Sequence, residues 1–207
     1  MLHINDALPD LNLFLLTHLH GDHYDPEVIQ LIARRKRTTF ILPEPVMSRV
    51  IEETGLREDQ ILPIREGECR QFAGGTIEAY QVPHGGVKCN FGYLLETEGK
   101  RIVFSSDIRD YSTGWLPNLG NVDLLCLNLW LGRDQGLKFS LHVVEEACQF
   151  IASIRPRRVL FYHLYEVSRT PENGWTYVHA GLVQDRLLTL APEIRCYAPY
   201  WGEGVTI

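Results

Sequence analysis

Apolar and polar positions along the chain alternate between short apolar runs and stretches with helical spacing. The short runs have the length and composition of strands, and they lie at 13–17, 38–42, 60–64, 76–83, 91–96, 101–105, 123–128, 158–162 and 195–198. Helical spacing predicts helices at 44–54, 141–154 and about 180–190. Asp25 followed by Pro26 predicts a further helix start, and Gly55 a helix end. Strands and helices in alternation indicate an α/β fold.

The first apolar run leads directly into a cluster of metal-binding residue types. Residues 18–23 read His-Leu-His-Gly-Asp-His, so three of the chain's eight histidines fall in six positions. Side chains at i and i+2 of an extended segment point the same way, so His18 and His20 can bind one ion. Asp22 and His23 lie beyond Gly21, which permits a tight bend, and can turn toward a second ion. A histidine-rich surface loop would have no structural reason for this arrangement, so the segment predicts a metal site.

The stretch 17–23 resembles the T-H-x-H-x-D-H signature of the metallo-β-lactamase-fold hydrolases, whose further ligands each follow a later strand. His84, Asp107 and His163 each follow an apolar run, in the order that the family requires. They match its third histidine, the aspartate that bridges two metals, and the last ligand of the second metal. The resemblance covers nearly the whole chain. It implies one domain, residues 1–207, built as an αββα sandwich of two mixed sheets with helices on the outer faces.

The resemblance also implies two divalent ions per chain and a hydroxide shared between them. The expected ligands are His18, His20 and His84 for the first ion, Asp22, His23 and His163 for the second, and Asp107 for both. Imidazole with carboxylate suits zinc first, and manganese or iron would also be accepted. Asp22 is expected to orient the hydroxide or receive its proton. Related hydrolases often carry a histidine before the equivalent helix, so His142 is either a proton donor or substrate contact, or an exposed helix-start residue.

The expected substrate is a small anionic ester, a phosphorylated lactone or a phosphodiester. Asp25-Pro26-Glu27 and the short layout look most like the branch that contains L-ascorbate-6-phosphate lactonase. Two alternatives remain open at this point. One is a nuclease or RNA-processing enzyme of the same fold, and the other is a metal-binding interaction module without catalytic activity.

The chain departs from the family pattern in three places. Asp107 stands in a Ser-Asp-Ile context instead of Gly-Asp-Thr, which changes the surroundings of the ligand and leaves its metal role intact. Residues 164–179 are longer and more aromatic than a plain connection and are a candidate substrate wall. The histidine motif follows only a short leader, which predicts a shortened first sheet with an open edge. A longer gene product, a second subunit or residues 197–207 would cover it, and we favour self-association.

Charge and cysteine content limit the classes of binding partner and the cellular compartment that the sequence predicts. The 207-residue chain has a formal net charge of −6 and a pI near 5.7, which argue against general affinity for nucleic acid or anionic membranes. Two basic clusters, at 34–37 and 155–158, lie at predicted helix C-termini, where the helix dipole favours cations. They support RNA binding only if they flank the metal edge. Five cysteines without CxxC spacing, no signal peptide and no membrane-length segment predict a cytoplasmic protein.

Overall fold

The computed structural model describes residues 11–34, 38–87, 89–133, 138–164, 176–200 and 203–206, with the backbone alone at 132–133 and 138–139. The described α-helices are α1 (Pro26–Ala33), α2 (Glu44–Thr54), α3 (Leu141–Ile154) and α4 (Tyr177–Leu190). The described strands are β1 (Leu13–Leu15), β2 (Thr39–Pro43), β3 (Ile61–Ile64), β4 (Cys69–Phe72), β5 (Gly75–Gln81), β6 (Phe91–Thr97), β7 (Lys100–Phe104), β8 (Leu124–Asn128), β9 (Gly132–Arg133), β10 (Lys138–Phe139), β11 (Arg158–Tyr162) and β12 (Arg195–Tyr197).

The larger sheet has seven strands in the order β12-β11-β8-β7-β6-β5-β4. Strands β4 to β7 pair antiparallel, as expected for segments joined by short turns, whereas the β7–β8, β8–β11 and β11–β12 pairs are parallel. The sheet is therefore mixed, as the sequence predicts. Strands β5, β7, β8 and β11 run in the same direction, so their C-terminal ends lie along one edge.

The smaller sheet contains β1, β2 and β3, and both of its described pairings are parallel. Proline removes a backbone donor, and Pro63 is accommodated because β3 is an outer strand of this sheet. The hairpin of β9 and β10 pairs antiparallel and was not expected from the sequence. Each of these strands has only two residues, which is too few for a periodic pattern in the sequence.

Three clusters of buried side chains define four layers. One joins α1 and α2 to the outer face of the smaller sheet through Ile29, Val50 and Phe40. A second lies between the two sheets and brings Ile41 and Ile64 against β5 and β6. A third cluster joins α3 and α4 to the larger sheet. This is the αββα sandwich that the sequence predicts, and α4 and β12 contribute to the same core as β8.

The helix ends follow the local sequence closely. The Asp25 carboxylate accepts hydrogen bonds from the backbone N–H groups of Glu27 and Val28 at 2.8 and 3.2 Å, and caps α1. Helix α2 ends at Gly55, which has a left-handed backbone with φ +68°. Helix α4 begins at Tyr177, about three residues before the predicted start. Its first turn already contributes His179 to the buried side.

Two expectations concern the chain ends. Residues 1–10 lie outside the described part, so the shortened first sheet and the self-association it suggests stay predictions. The described C-terminal residues lie on α4, because the Tyr177 hydroxyl donates to the Pro199 carbonyl at 3.1 Å and its ring meets that of Tyr200 at 4.4 Å. Within the described residues, no helix is both long and apolar enough to cross a membrane.

Candidate metal centre

Strand ends of the larger sheet deliver three of the seven expected ligands to one edge. His84 follows β5, Asp107 follows β7 and His163 directly follows β11. Ser106 and His163 have left-handed backbones, with φ +55° and +64°. Such conformations are costly for residues with a side chain and occur mostly where the surrounding structure imposes them at functional sites. The chain therefore turns sharply at the points where it presents these ligands.

The other four ligands come from the turn that follows β1. The backbone N–H groups of His23 and Tyr24 both donate to the His20 carbonyl, at 2.9 and 2.8 Å, which closes a tight turn over 20–24. Gly21 does not have a positive φ, and a Cβ placed there would meet nothing within 4 Å. The tight bend expected at Gly21 is present, and the turn is made with an ordinary backbone that does not require glycine. Alanine would fit at this position.

The structure brings all seven expected ligands together in two groups. Each group offers ligand atoms that lie within 4.8 Å of one another, and they comprise His18, His20, His84 and Asp107 in the first group, and Asp22, His23, Asp107 and His163 in the second. Donors around a tetrahedral zinc ion lie roughly 3.3 Å apart, given Zn–N bonds of about 2.0 Å. The His84 Nε2 to His20 Nδ1 distance is 3.2 Å, as is the His163 Nε2 to Asp22 Oδ2 distance. These spacings suit a common ion.

Asp107 belongs to both groups and presents a different oxygen to each. Its Oδ2 atom lies 3.9 Å from His18 Nε2 and 4.0 Å from His84 Nε2. Its Oδ1 atom lies 3.2 Å from His23 Nε2 and 3.8 Å from His163 Nε2. This orientation is the one that a carboxylate needs to bridge two cations.

Burial keeps the inner histidines neutral, which is the form that binds metal. Burial is the main cause that lowers the pKa of His18 to about 3, and the neighbouring His23 adds to it. Burial likewise lowers the pKa of His84 to about 4, with Arg109 and His20 contributing. Burial opposes ionisation of Asp107, but the hydrogen bond from His23 and the nearby histidines outweigh it and lower the pKa to about 2. His18 and His84 are thus neutral and Asp107 is ionised at neutral pH.

A buried ring nitrogen indicates that an ion completes the site. Nε2 of His18 is fully buried, faces Asp107 and has no hydrogen-bond partner among the described residues. Leaving a buried polar atom without a partner costs free energy, so such atoms mark a functional group or a missing ligand. The Thr17 hydroxyl lies 2.9 Å from Nδ1 of His18, which leaves Nε2 directed at Asp107. The donor set therefore fits divalent metal.

A buried polar network around Asp107 was not expected from the sequence. The Asn128 side-chain amide donates to Asp107 Oδ1 at 2.9 Å, and the Asn90 amide donates to the Asp107 carbonyl at 3.0 Å. The Ser106 hydroxyl donates to the Asn90 side-chain oxygen at 2.5 Å. The serine that replaces the family's glycine thus acts on Asp107 through Asn90. Such partners fix the orientation of a ligand and tune its affinity for metal.

The structure does not bring His142 into the two groups. Its side chain is 81% exposed at the first turn of α3, and its Nε2 atom lies 3.3 Å from the Glu146 carboxylate. Most of the candidate substrate wall, 165–175, lies outside the described residues. Of its remainder, His179 is buried with Nδ1 at 2.8 Å from the Thr176 hydroxyl, and Tyr177 packs on the C-terminal segment. These two side chains anchor α4.

The chain belongs to the metallo-β-lactamase superfamily, because a family model described as a beta-lactamase superfamily domain matches residues 2–164, well over half of its length. That match contains all seven expected ligands. A comparison with curated protein sequences gave no significant match.

Solved structures show the same fold. A metallo-β-lactamase fold protein, YhfI from Bacillus subtilis, superposes with a TM-score of 0.64 and 16% identity over 93% of this chain and 78% of its own. Zn²⁺-bound PqqB from Methylobacterium extorquens gives 0.59 and 13%, over 90% and 71%. CmlA, a diiron β-hydroxylase from Streptomyces venezuelae, gives 0.62 and 16% over 92% of this chain. The chain spans only 44% of CmlA's length, and identities this low establish the fold alone.

Proposed function

We propose that the protein is a metal-dependent hydrolase that cleaves a small anionic ester, a phosphorylated lactone or a phosphodiester, with two divalent ions bound. The observation that carries this proposal is the orientation of Asp107, with one carboxylate oxygen toward each group of ligands. Two bound divalent ions supply a water of lowered pKa and a positive charge that stabilises the developing oxyanion. Zinc suits these ligands first, and manganese or iron would fit the same atoms.

The protein's own residues would orient the attacking water, accept its proton and define the side from which substrate approaches. Asp22 is exposed on the open side of the cluster, and His23 and His163 lower the pKa of its carboxyl although burial opposes this. As an ionised carboxylate it can orient the attacking water or accept its proton. The exposed His20 lies on the same open side, whereas His18 is fully buried beneath it. Substrate would therefore approach from the side of His20 and Asp22.

The substrate class remains part of the proposal. Asp25-Pro26-Glu27 supports the lactonase-like branch by its sequence, and the structure adds that Asp25 caps α1 directly after the histidine turn. The RNA-processing alternative depended on basic residues beside the metal edge. Arg34 follows the C-terminus of α1, and Arg155 to Arg158 precede or open β11, whose far end carries His163. A five-residue strand separates these ends by about 16 Å, so the cluster at 155–158 lies away from the ligands, which supports a small substrate.

Metal content and turnover test the proposal together. After supplementation with zinc or manganese, elemental analysis should find close to two ions per chain, and bis-p-nitrophenyl phosphate should be hydrolysed until chelator is added. Less than about half an ion per chain would contradict the metal centre. Two ions without turnover of diesters or lactones would favour the catalytically silent interaction module instead.

The role of His142 as proton donor needs a separate test, because its described contact is with Glu146. If His142 protonates the leaving group, His142→Ala should slow substrates with poor leaving groups by about 100-fold and leave activated nitrophenyl esters nearly unchanged. Equal losses on both kinds of substrate would remove His142 from the mechanism.

The remaining parts of the proposal concern organisation and location. All five cysteines are free thiols, and Cys89, Cys126 and Cys148 are buried. Unpaired buried cysteines fit a reducing compartment and support a cytoplasmic enzyme. We further propose that residues 1–207 form one domain that associates with a second copy. Sedimentation at micromolar concentration tests this, since a stable monomer that binds no hydrophobic dye would contradict it.

A further inference from the structure

An arginine that the proposed chemistry does not use lies beside the first group of ligands. Arg109 follows Asp107 by two residues, and its side chain is exposed. Its Nη1 atom would lie 3.1 Å from a Cβ placed on Gly85, the neighbour of His84, and its charge helps to lower the pKa of His84. Gly85 therefore leaves room for the guanidinium at the rim of the site.

The guanidinium is held in place by its surroundings. Its carbon atom lies 4.9 Å from the ring centre of Trp130, which is a cation–π distance. The Tyr111 hydroxyl donates to the Trp130 carbonyl at 3.1 Å and accepts from the Trp130 backbone N–H at 3.2 Å. Tyr111 belongs to the same loop as Arg109, so one buried side chain ties the loop to the residue on which the guanidinium stacks. An anchored guanidinium loses less conformational entropy when it binds an anion.

The charge of Arg109 is not neutralised by a carboxylate among the described residues. The nearest acidic residue in sequence, Asp110, directs both side-chain oxygens to Ser112, at 2.8 Å from its backbone N–H and 2.8 Å from its hydroxyl. Arg109 is therefore an exposed cation without a described carboxylate partner at the rim of the ligand cluster.

We propose that Arg109 is the specificity residue of the site, and that it binds a second anionic group of the substrate, one that is not cleaved. This inference rests on the proposed hydrolase function. A planar guanidinium with several N–H donors matches the paired oxygens of a carboxylate or a phosphate. The substrate would thus carry two functions, an ester bond placed at the ligand groups and a separate carboxylate or phosphate placed between Gly85 and Trp130.

Equilibrium binding gives a readout that does not depend on turnover. Calorimetry on the metal-loaded protein would compare dicarboxylates from succinate to adipate with the matching monocarboxylates, and 3-phosphonopropionate with both. At least one two-anion ligand should bind about tenfold more tightly than its one-anion partner, as a charge-assisted hydrogen bond predicts. A preference for the dicarboxylate or for the phosphonate identifies which anion the substrate carries.

Three variants test whether Arg109 causes that preference, and a fourth variant is the control. Arg109→Gln should abolish it, and Arg109→Lys should keep only part of it, since an ammonium lacks the two-pronged geometry. Gly85→Ala keeps the charge and presses a methyl group against the guanidinium, so it should weaken the preference slightly. Arg195→Gln removes an equal charge from the opposite end of the larger sheet and should change nothing. Metal content and thermal midpoint of each variant confirm that the fold is intact.

Kinetics on matched esters complete the test. Arg109→Gln should raise KM for mono-4-nitrophenyl succinate about tenfold more than it raises KM for neutral 4-nitrophenyl butyrate. The inference is overturned if wild-type protein shows no preference for a second anion, or if Arg109→Gln retains it. If the preference holds but no ester is hydrolysed, the anion subsite stands and the hydrolase proposal fails. If esters are hydrolysed without the preference, the inference alone fails.

Discussion

The polar groups at the two ends of the larger sheet's strands interact in different ways. At the edge away from the histidines, four charged side chains pair with one another. Arg101 contacts Glu96 and donates its backbone N–H to Asp123, which in turn accepts from Arg157 at 3.2 Å. At the other edge, histidine nitrogens surround the Asp107 carboxylate, and Nε2 of His18, which faces it, has no hydrogen-bond partner among the described residues.

The difference shows where the fold leaves interactions incomplete. Opposite charges that pair at a strand end satisfy each other and need no ligand, even though a surface cleft lies among them. Buried imidazole atoms without partners are costly in the protein alone and become favourable when a cation binds. A cleft lined by charge is therefore weaker evidence for function than a few polar atoms that the protein does not satisfy.

The largest effect is expected for the loss of Asp107, and Asp123 at the other edge is the matched comparison. Asp107→Ala should lower metal content at both groups of ligands and reduce ester hydrolysis by about 1000-fold, since a metal is worth several kcal/mol of transition-state stabilisation. Asp123→Ala removes a carboxylate with two described hydrogen-bond donors at the other edge and should cost about 1 to 3 kcal/mol of stability with full metal content. Elemental analysis and urea unfolding measure both. Equal metal loss in the two variants would refute the distinction.

A smaller effect is expected for the amide that orients the bridging carboxylate. Asn128→Ala should weaken metal affinity by about 10 to 100-fold, because Asp107 Oδ1 loses the hydrogen bond that fixes it. Competition with a coloured chelator would give the dissociation constants. Asn118→Ala, at an exposed turn where the side chain accepts from Gly120 N–H, serves as the control. An unchanged affinity in Asn128→Ala would show that the histidines alone position the carboxylate.

The pH dependence of the metal-free protein distinguishes the edges in another way. The folded-state pKa values of His18 and His84, about 3 and about 4, lie below the ordinary value of 6.5. Between these values the unfolded chain binds more protons, so the free energy of unfolding should be highest above pH 6.5 and fall toward pH 4. The lowered pKa of Asp107, about 2, acts only below that window. Urea unfolding in chelator at pH 7 and pH 5 measures the change.

In that experiment, His18→Asn should flatten the slope because it removes one of the histidines whose pKa burial lowers. Asn118→Ala, which removes no titratable group, should leave the slope unchanged. A stability that is independent of pH between 5 and 7 would contradict the assignment of neutral buried histidines.

The smallest effect is expected at the paired edge. Arg157→Ala removes an exposed ion pair with Asp123, which is worth about 0 to 1 kcal/mol, and should leave metal content and turnover unchanged. Thermal unfolding detects the stability change. A loss of metal in this variant would mean that the two edges are coupled through β8 and β11.

The ligands could be predicted from the sequence because each is a metal-binding residue type in a recognisable position. His84, Asp107 and His163 close apolar runs, and the strands before them were recognisable by composition. Asn128 also closes an apolar run, 124–127, and its position at the end of a strand was a usable signal. An amide is common in turns, however, so it carries little chemical information alone. Arg109 gave no signal, because its contacts with Gly85 and Trp130 depend on three separate segments.

The local sequence also predicted the start of α4 incorrectly, because tertiary packing outweighs helix propensity there. The Trp-Thr-Tyr-Val stretch before residue 179 is rich in aromatic and β-branched residues, which are poor helix formers, and this hid the first turn of α4. Burial of His179 and Ala180 against the core outweighs that preference. The predicted bend at Gly21 is present, with a backbone conformation that other residues could also adopt.

The origin of the ligands has a mechanical consequence. The turn after β1 extends the smaller sheet, whereas His84, Asp107 and His163 extend the larger one. Ions held by both sets would act as cross-links between the two halves of the sandwich, comparable to disulfide bridges between distant parts of the chain. Any agent that removes them would loosen the seam between the sheets, so metal supply would govern the lifetime of the folded protein as well as its chemistry.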